Sequence, residues 1–269
     1  MKRFYNIGLL LVGLLLASAG GFAQTSDEEY QPRVGQDGKD VVWVPTEQTV
    51  VDTMLDMAKV TPQDFVIDLG SGDGRTVIAA AKRGAKAMGI EYNPDMVELA
   101  KRRAAQEGVT NKAEFYKADL FESDFSKATV ITMFLLPDIN LRLRPKLLEM
   151  KPGTRVVSNS FTMGEWEPDE TRRVTTDCAN DWCTAYFWIV PAKVAGIWNL
   201  SGGELTLNQE FQKISGNLNV NGKRVAVQGK LSGDKISFSA GGVDYSGVVE
   251  GNTISGTRSP GGKWQAVRK

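Results

Sequence analysis

The chain has 269 residues, which is enough for one large domain or two of moderate size. Its 32 basic and 32 acidic residues balance, so no long-range field predicts binding to nucleic acid or to an anionic membrane. Histidine is absent and only two cysteines occur, which excludes histidine-dependent nucleophiles, histidine acid–base catalysis and metal centres held by four thiolates of one chain. No metal site is evident in the sequence.

The first 23 residues have the layout of a secretory signal peptide. Lys2 and Arg3 precede an almost unbroken apolar stretch over 7–17, and small residues lead to a cleavage point after Ala23. The apolar stretch is shorter than the roughly 20 residues of a membrane-spanning helix. We therefore expect cleavage and export, to the periplasm or outside the cell, without stable membrane insertion of the mature chain. The polar residues 24–39 are expected to form a flexible lead-in.

Residues 40–192 alternate between strand and helix patterns. The predicted strands cover 65–69, 87–91, 113–117, 128–134 and 154–160. Predicted helices begin after Thr46, near Arg75 and after Asn93. A further helix before the fifth strand is expected to end or to be interrupted near Pro145. Strands that alternate with helices predict a parallel sheet covered on both faces.

Two β-rich runs close this region, at 172–177 and 184–190, and their separation predicts an antiparallel hairpin. Cys178 directly follows the first run, and Cys183 directly precedes the second. In an exported protein such a pair is expected to form a disulfide. Because the spacing is C-x4-C and not the C-x-x-C of redox enzymes, a local staple is favoured over redox catalysis.

Three acidic residues follow three successive predicted strands. The first strand runs into V-I-D-L-G-S-G-D-G-R (66–75), where Asp68 precedes a glycine loop that lets a ligand approach the backbone closely. The spacing G-x-G-x-G differs from the G-x-G-x-x-G of pyrophosphate binders, and the Gly-Lys-Ser/Thr of a P-loop is missing. Glu91 ends the second strand, where it can accept from both ribose hydroxyls, and Asp119 beside Leu120 is placed to accept from the exocyclic amine of a base. Since the carboxyl ends of parallel strands share one edge of a sheet, the set predicts a nucleoside ligand.

With this loop, G-I-E-Y-N-P (89–94) and K-A-D-L-F (117–121), the chain resembles the class I S-adenosylmethionine-dependent methyltransferases. Within the class it is most similar to bacterial exported relatives of the mitochondrial protein-lysine methyltransferases. That similarity rests on V-P-T-E-Q-T-V-V-D-T-M-L (44–55), the glycine loop and F-L-L-P (134–137), with K-P-G-T-R-V-V-S and M-G-E-W-E-P-D shared by the exported relatives. The resemblance covers about residues 40–192.

This resemblance implies a doubly wound, mostly parallel, seven-stranded α/β sheet of Rossmann-like type, with S-adenosyl-L-methionine as the cofactor. The residues that it places around the methionine portion are Asp68, Gly70, Ser71, Gly72 and Gly74. By the same resemblance Glu91 holds the ribose, and Asp119 with Leu120 holds the adenine. Pro45 and Thr46 would close over the cofactor from the N-terminal side.

The family brings its methyl acceptor to the residues after the fourth strand, so the resemblance assigns catalytic positions to Phe134 and Pro137. The tetrapeptide F-L-L-P differs from the N-P-P-Y motif of several N-methyltransferases and has no side-chain amide or carboxylate to bind an acceptor. A sulfonium methyl mainly requires in-line alignment at about 3 Å, so a protein without histidine can transfer it. Glu165 or Glu167 is a candidate proton acceptor, although a solvated acidic loop is the simpler interpretation, and Trp166 is expected to pack on the sheet.

Residues 195–269 have a different composition, because they contain 14 of the 28 glycines. Short alternating runs are separated by turn signals such as Asn221-Gly222, which predicts a small antiparallel meander or barrel of seven or eight strands. Trp198 and Trp264 are expected to fill its ends. A module that binds substrate or envelope material and a stabilising or dimerising appendage both stay open.

The sequence therefore favours an exported methyltransferase that acts on a protein side chain, such as lysine, or on a small molecule of the cell envelope. The alternative is a catalytically inactive nucleoside-binding protein that uses the β domain for a partner or ligand. A dinucleotide-dependent oxidoreductase is disfavoured by the loop spacing and by Asp119.

Overall fold

The computed structural model describes Met1, residues 30–178 and residues 181–269. The predicted signal peptide, residues 1–23, lies outside the described residues except for its first residue. The chain separates into the units Met1–Gln31 and Pro32–Lys269, and all the helices and strands described belong to the second unit. No helix in the described ranges is long and apolar enough to cross a bilayer.

Seven strands form one mixed sheet. In chain order they are β1 (Phe65–Leu69), β2 (Lys86–Glu91), β3 (Ala113–Lys117), β4 (Val130–Met133), β5 (Arg155–Asn159), β6 (Glu170–Arg173) and β7 (Thr184–Ile189). Their order across the sheet is β3-β2-β1-β4-β5-β7-β6. Strands β1 to β5 are parallel, and β7 runs antiparallel to β5 and β6. This confirms the doubly wound, mostly parallel seven-stranded sheet and the closing antiparallel hairpin, although the first hairpin strand covers 170–173 and not the predicted 172–177.

Helices cover both faces of this sheet. They are α1 (Gln48–Met57), α2 (Arg75–Lys82), α3 (Pro94–Gln106) and α4 (Pro137–Leu148). The first three pack with Val66 and Val130 in one hydrophobic core, whereas α4 packs with Ile67 and Ile131 in another. Successive side chains of a strand point to opposite faces, so each central strand contributes to both cores.

Two helix boundaries differ from the sequence predictions. Glu47, and not Thr46, is the N-cap of α1; the Thr46 hydroxyl accepts a 3.5 Å hydrogen bond from Asn159 Nδ2 instead. The fourth helix continues through Pro145. Pro145 has no N–H, so the carbonyl of Leu141 has no helical donor at this position; both residues are exposed, on the outer side of the helix.

The C-terminal strands form a closed antiparallel barrel, as the alternating runs predict. They are β8 (Gly196–Leu200), β9 (Gly203–Glu210), β10 (Lys213–Val220), β11 (Lys223–Ser232), β12 (Lys235–Ala240), β13 (Val243–Glu250), β14 (Thr253–Arg258) and β15 (Lys263–Arg268). Strand β15 pairs with β8 and closes the barrel. Asn221 and Gly222 both have positive φ, as a type I′ hairpin turn requires.

Aromatic side chains fill the barrel interior. Phe238 and Tyr245 stack with ring centroids 4.8 Å apart, and Trp264 meets both rings edge-on at 5.5 Å. Trp198 is fully buried, and its indole N–H donates to the carbonyl of Val194 at 2.8 Å. The interior is therefore a packed core, as expected for an eight-stranded barrel of this size.

The barrel is attached to the amino edge of the parallel strands. Gly233, in a barrel turn, lies against Gly153, which precedes β5, and its carbonyl accepts from the Ala192 amide at 2.8 Å. The ring of Phe211 stacks on Trp166 with centroids 6.2 Å apart. These contacts place the barrel at the end of the sheet opposite to the carboxyl ends of β1, β2 and β4.

The cysteines form the predicted disulfide, Cys178–Cys183. It closes the connection between β6 and β7, of which residues 179–180 lie outside the described ranges. The Thr49 hydroxyl on α1 donates to the Asp177 carbonyl at 3.1 Å and ties this loop to the helix. The staple is therefore local, as its five-residue separation implies.

Candidate functional site

A cleft of about 1030 Å³, open solvent at its mouth included, lies at the carboxyl edge of the sheet. The chain crosses there from β3 to β4 over β1, and open α/β sheets bind ligands at such crossing points. Its lining contains Pro45, Thr46, Asp68, Gly70, Ser71, Gly72, Glu91, Asp119, Leu120 and Phe134. Ten of the predicted site residues, from five separate segments, thus meet in one cleft.

Gly74 and Pro137 are not part of the cleft lining. Gly74 is the N-cap of α2, and a Cβ there would stand 2.8 Å from both Ala100 and Phe115, so its role is close packing of the helix on its neighbours. Pro137 is the exposed first residue of α4, where its fixed φ favours the helix start. The structure thus gives both residues a local structural role and does not bring them into the cleft lining; their predicted parts in cofactor binding and catalysis stay predictions.

Asp68 is buried near the end of β1, at the floor of the cleft. Thr132 on the neighbouring strand donates to its Oδ1 at 2.6 Å. Burial raises the pKa of Asp68 from its ordinary value of 3.8 to about 7, and the negative charges of Glu91 and Asp73 act in the same direction. A cation placed beside this carboxylate would relieve both the burial and the repulsion.

Asp73 has the opposite electrostatic environment. Burial by itself would raise the pKa of Asp73, but the guanidinium groups of Arg75 and Arg103 bring it below the ordinary value. Arg75 Nη2 lies 2.6 Å from the carboxylate, and Arg75 Nη1 donates to the Thr46 carbonyl at 2.7 Å. This pair therefore joins the glycine loop to the N-terminal wall of the cleft.

Glu91 is held by two backbone amides. Its Oε2 accepts from the Gly72 amide and its Oε1 from the Asn93 amide, each at 2.9 Å. Because a carboxylate oxygen can accept more than one hydrogen bond, both oxygens keep capacity for ligand hydroxyls. The carboxylate is thus fixed in place before any ligand arrives.

The glycine loop contains one exposed glycine, Gly70, followed by buried residues that pack closely on their neighbours. Gly72 has φ +50°, and a Cβ there would lie 2.7 Å from Nε1 of Trp43. The Ser71 hydroxyl is buried without a hydrogen-bond partner among the described residues, and Ser71 belongs to the cleft lining.

The segment before α1 forms one wall of the cleft. Gln36, Lys39 and Trp43 belong to the lining, so part of the predicted lead-in lies against the site. The ammonium of Lys39 pairs with the Asp119 carboxylate and stands 4.8 Å above the ring of Tyr92. This ion pair lowers the pKa of Asp119 and raises that of Lys39. Neither Lys39 nor Trp43 was predicted from the sequence; the available signal was the apolar run over 41–45, which contains Trp43 and directly follows a polar segment.

The carboxylates considered as proton acceptors are engaged elsewhere. Glu165 pairs with Arg144 at 2.7 Å, and Glu167 pairs with Lys213 of the barrel at 2.7 Å. Neither lines the cleft. Trp166 is fully buried against Trp188, which confirms that it packs on the sheet.

The chemistry of the cleft fits a nucleoside with a cationic tail. Six carboxylates line it, among them those of Asp68, Glu91 and Asp119 at three successive strand ends, against two cationic side chains, so phosphate groups would be repelled. They can instead accept hydrogen bonds from hydroxyl and amino groups. Ser71, whose hydroxyl has no partner among the described residues, and the exposed Gly70 line the same cleft.

Comparison with known proteins agrees with this geometry. A family model described as the ANTKMT methyltransferase domain matches residues 68–170. The chain is 45% identical over 153 residues to a protein-lysine N-methyltransferase of Saccharolobus islandicus, covering 56% of this chain and 94% of the relative. It is 39% identical over 128 residues to the lysine N-methyltransferase of the ATP synthase c-subunit from Xenopus laevis, covering 47% of this chain and 56% of the relative.

A solved structure is also similar. The RNA methyltransferase from Salinibacter ruber, in complex with S-adenosyl-L-homocysteine, shares 48% identity with a TM-score of 0.52, covering 56% of this chain and 96% of that chain. The match thus spans nearly the whole of the archaeal and Salinibacter proteins but only about half of the Xenopus enzyme. The chain belongs to the class I S-adenosylmethionine-dependent methyltransferases related to the mitochondrial lysine methyltransferases, and its cofactor is S-adenosylmethionine.

Proposed function

We propose that the protein is an exported protein-lysine N-methyltransferase. The observation that carries this proposal is the meeting of Asp68, Glu91 and Asp119, from three successive strand ends, in one cleft beside Phe134. The named activity of the Saccharolobus and Xenopus relatives supports lysine as the acceptor. The Salinibacter relative makes RNA the competing acceptor class.

In this proposal, different cleft residues bind different parts of the cofactor. Bound S-adenosylmethionine supplies a methyl group already activated on sulfur. The buried Asp68 carboxylate would accept from the amino group of the methionine portion, and Ser71 with the backbone of Gly70 and Gly72 would complete that end. Glu91 would accept from the ribose hydroxyls. Asp119 would accept from the adenine amine, with Leu120 against the base.

The protein also has to position a neutral amine. A lysine ammonium loses its proton to water at the open mouth of the cleft, since neither Glu165 nor Glu167 reaches the site. Phe134 stands directly after β4, on the cleft wall, where it confines the attacking nitrogen. Alignment, and not acid–base catalysis by a side chain, is then the main contribution of this chain.

Export is the second part of the proposal. The N-terminal pattern is that of a signal peptide, and disulfides such as Cys178–Cys183 persist mainly in oxidising compartments. A periplasmic reporter fused after residue 30 tests it directly: activity supports export, and an inactive reporter with an active leader control overturns it.

The activity test combines binding with methyl transfer. Residues 24–269 are titrated with S-adenosylmethionine and S-adenosylhomocysteine by calorimetry, then supplied with tritiated S-adenosylmethionine and either poly-L-lysine, cell-envelope protein or total RNA. Glu91→Ala removes a cleft carboxylate, and Glu98→Ala, on the exposed face of α3, is the matched control. Labelled Nε-methyl-lysine formed by the wild type and by Glu98→Ala, and lost with Glu91→Ala, supports the proposal.

Three other results would contradict it. Label only in RNA would replace lysine by a nucleic-acid acceptor. Cofactor binding without transfer to any of the three acceptors would favour the inactive binding protein. Failure to bind either ligand would remove the assigned cofactor site itself.

A further inference from the structure

Three aromatic rings form one cluster at the carboxyl edge of the sheet. The ring centroids of Phe134 and Phe161 are 6.1 Å apart and nearly parallel, with an interplanar angle of 20°. Trp182 lies against both, at 6.0 Å from Phe134 and 5.4 Å from Phe161. We call these three side chains the aromatic wall.

The aromatic wall runs outward from the cofactor cleft. Phe134 belongs to the cleft lining, Phe161 follows the neighbouring strand β5, and Trp182 is 38% exposed. The Ser160 amide donates to the Thr184 carbonyl at 2.6 Å, which ties the segment carrying Phe161 to the start of β7. An acceptor that approaches the cleft on this side must therefore pass over aromatic surface.

The disulfide holds the outermost ring. Trp182 precedes Cys183, and the bond to Cys178 closes the loop that carries it. The hydrogen bond from Thr49 to the Asp177 carbonyl holds the N-terminal end of that loop against α1. The staple therefore fixes the position of Trp182 relative to Phe134, although neither cysteine lies in the cleft lining.

The sequences around the aromatic wall favour a cation. Segments 45–49, 134–138, 159–164, 174–178 and 181–183 contain four acidic residues and no lysine or arginine, and the nearest basic residues in these stretches of sequence are Arg172 and Arg173, in β6. The acidic residues are Glu47, Asp138, Asp177 and Asp181. A polyanion such as RNA is expected to bind where lysine and arginine neutralise phosphates, so this border disfavours it. Aromatic faces bordered by carboxylates suit an alkylammonium group.

We propose that the aromatic wall is the acceptor-binding surface and receives the alkylammonium side chain of a lysine, with the Cys178–Cys183 disulfide as the positioning device for Trp182. The butyl stem packs on the rings and the ammonium faces them before it loses its proton. This inference rests on the proposed lysine methyltransferase activity. It also makes acceptor binding dependent on redox state, because reduction of the Cys178–Cys183 disulfide releases Trp182 and leaves the cofactor cleft intact.

The test separates acceptor binding from cofactor binding. KM and kcat for poly-L-lysine, and the Kd for S-adenosylhomocysteine, are measured for the wild type, Trp182→Ala, Trp182→Phe and the double variant Cys178→Ser/Cys183→Ser, each with and without a reductant. We expect Trp182→Ala to raise KM about tenfold, with the Kd for S-adenosylhomocysteine within twofold of wild type. Trp182→Phe keeps an aromatic face and should recover most of the loss.

Reduction has its own matched control. Because the chain has only two cysteines, the reductant should raise KM for the wild type and change nothing in the double variant. Choline should compete with poly-L-lysine, whereas 3,3-dimethylbutan-1-ol, which has the same shape without the charge, should not.

The outcomes distinguish failure of this inference from failure of the proposed lysine methyltransferase activity. A wild type that methylates lysine, with KM unchanged in Trp182→Ala, overturns the aromatic wall and leaves the lysine activity standing. An equal loss of cofactor affinity in Trp182→Ala overturns it as well, because the ring would then be structural. A wild type that labels RNA and no lysine overturns both.

Discussion

Replacing Asp68 by asparagine should make the cofactor-free protein more stable at neutral pH. The carboxylate is buried and its pKa is about 7, against an ordinary value of 3.8. Between these two values the native state holds a proton that the unfolded chain has released, so the free energy of unfolding falls as pH rises. At about 1.4 kcal/mol for each pH unit, the loss amounts to about 4 kcal/mol above pH 7.

Asparagine has nearly the same shape, can accept from Thr132 and carries no charge at any pH. The variant should therefore differ little from wild type at pH 4, and should be more stable by about 4 kcal/mol at pH 8. Urea unfolding without cofactor, at four or five pH values, measures this difference. Asp95→Asn, on the exposed first turn of α3, is the control for loss of a carboxylate.

A stability difference that is the same at pH 4 and pH 8 would refute the reasoning. So would a variant less stable than wild type at pH 8. The expected result also carries a cost in function, because the proposed contact with the amino group of the cofactor needs the charge. Stability gained by Asp68→Asn should thus accompany loss of S-adenosylmethionine binding, as is common where a ligand site is electrostatically strained.

Three further predictions concern the same cleft and the barrel. Since the proposed contact needs the ionised form of Asp68, S-adenosylmethionine affinity should rise about tenfold from pH 6 to pH 8 in calorimetry and then level off; a flat profile would contradict it. Gly72→Ala should weaken that affinity about tenfold or more, because the methyl group would meet the indole of Trp43, whereas Gly108→Ala, also at positive φ but with nothing within 4 Å, should leave it unchanged. Trp264→Ala should destabilise the barrel by about 3–5 kcal/mol in thermal unfolding without changing cofactor affinity, because the barrel meets the opposite edge of the sheet; weaker binding would show that the two are coupled.

The parts of the fold that depend on local pattern could be predicted from the sequence. The glycine loop, the acidic strand ends and the Asn93 cap each follow from a short run of residues, and the structure contains them. Strand alternation likewise predicted the barrel, because turn signals recur at short intervals.

What the sequence did not predict depends on long-range contacts. Lys39 reaches Asp119 across a separation of 80 residues, and Trp182 meets Phe134 only because β7 returns beside β5. Gly74 gives a further example. It stands in the expected loop, and its close packing on Phe115, which is 41 residues away in the chain, could not be inferred from the loop motif.

The way the barrel closes has a consequence for the order of folding. Strand β8 has β9 on one side and β15 on the other, so one of its edges stays unpaired until residues 263–268 have been made. Every strand of the sheet precedes this point in the chain. In a chain synthesised from its N-terminus, the sheet domain can assemble while the barrel is still an open sheet. Loss of β15 would leave two unpaired strand edges, on β8 and β14. We expect such a protein to aggregate before it shows any defect in methyl transfer.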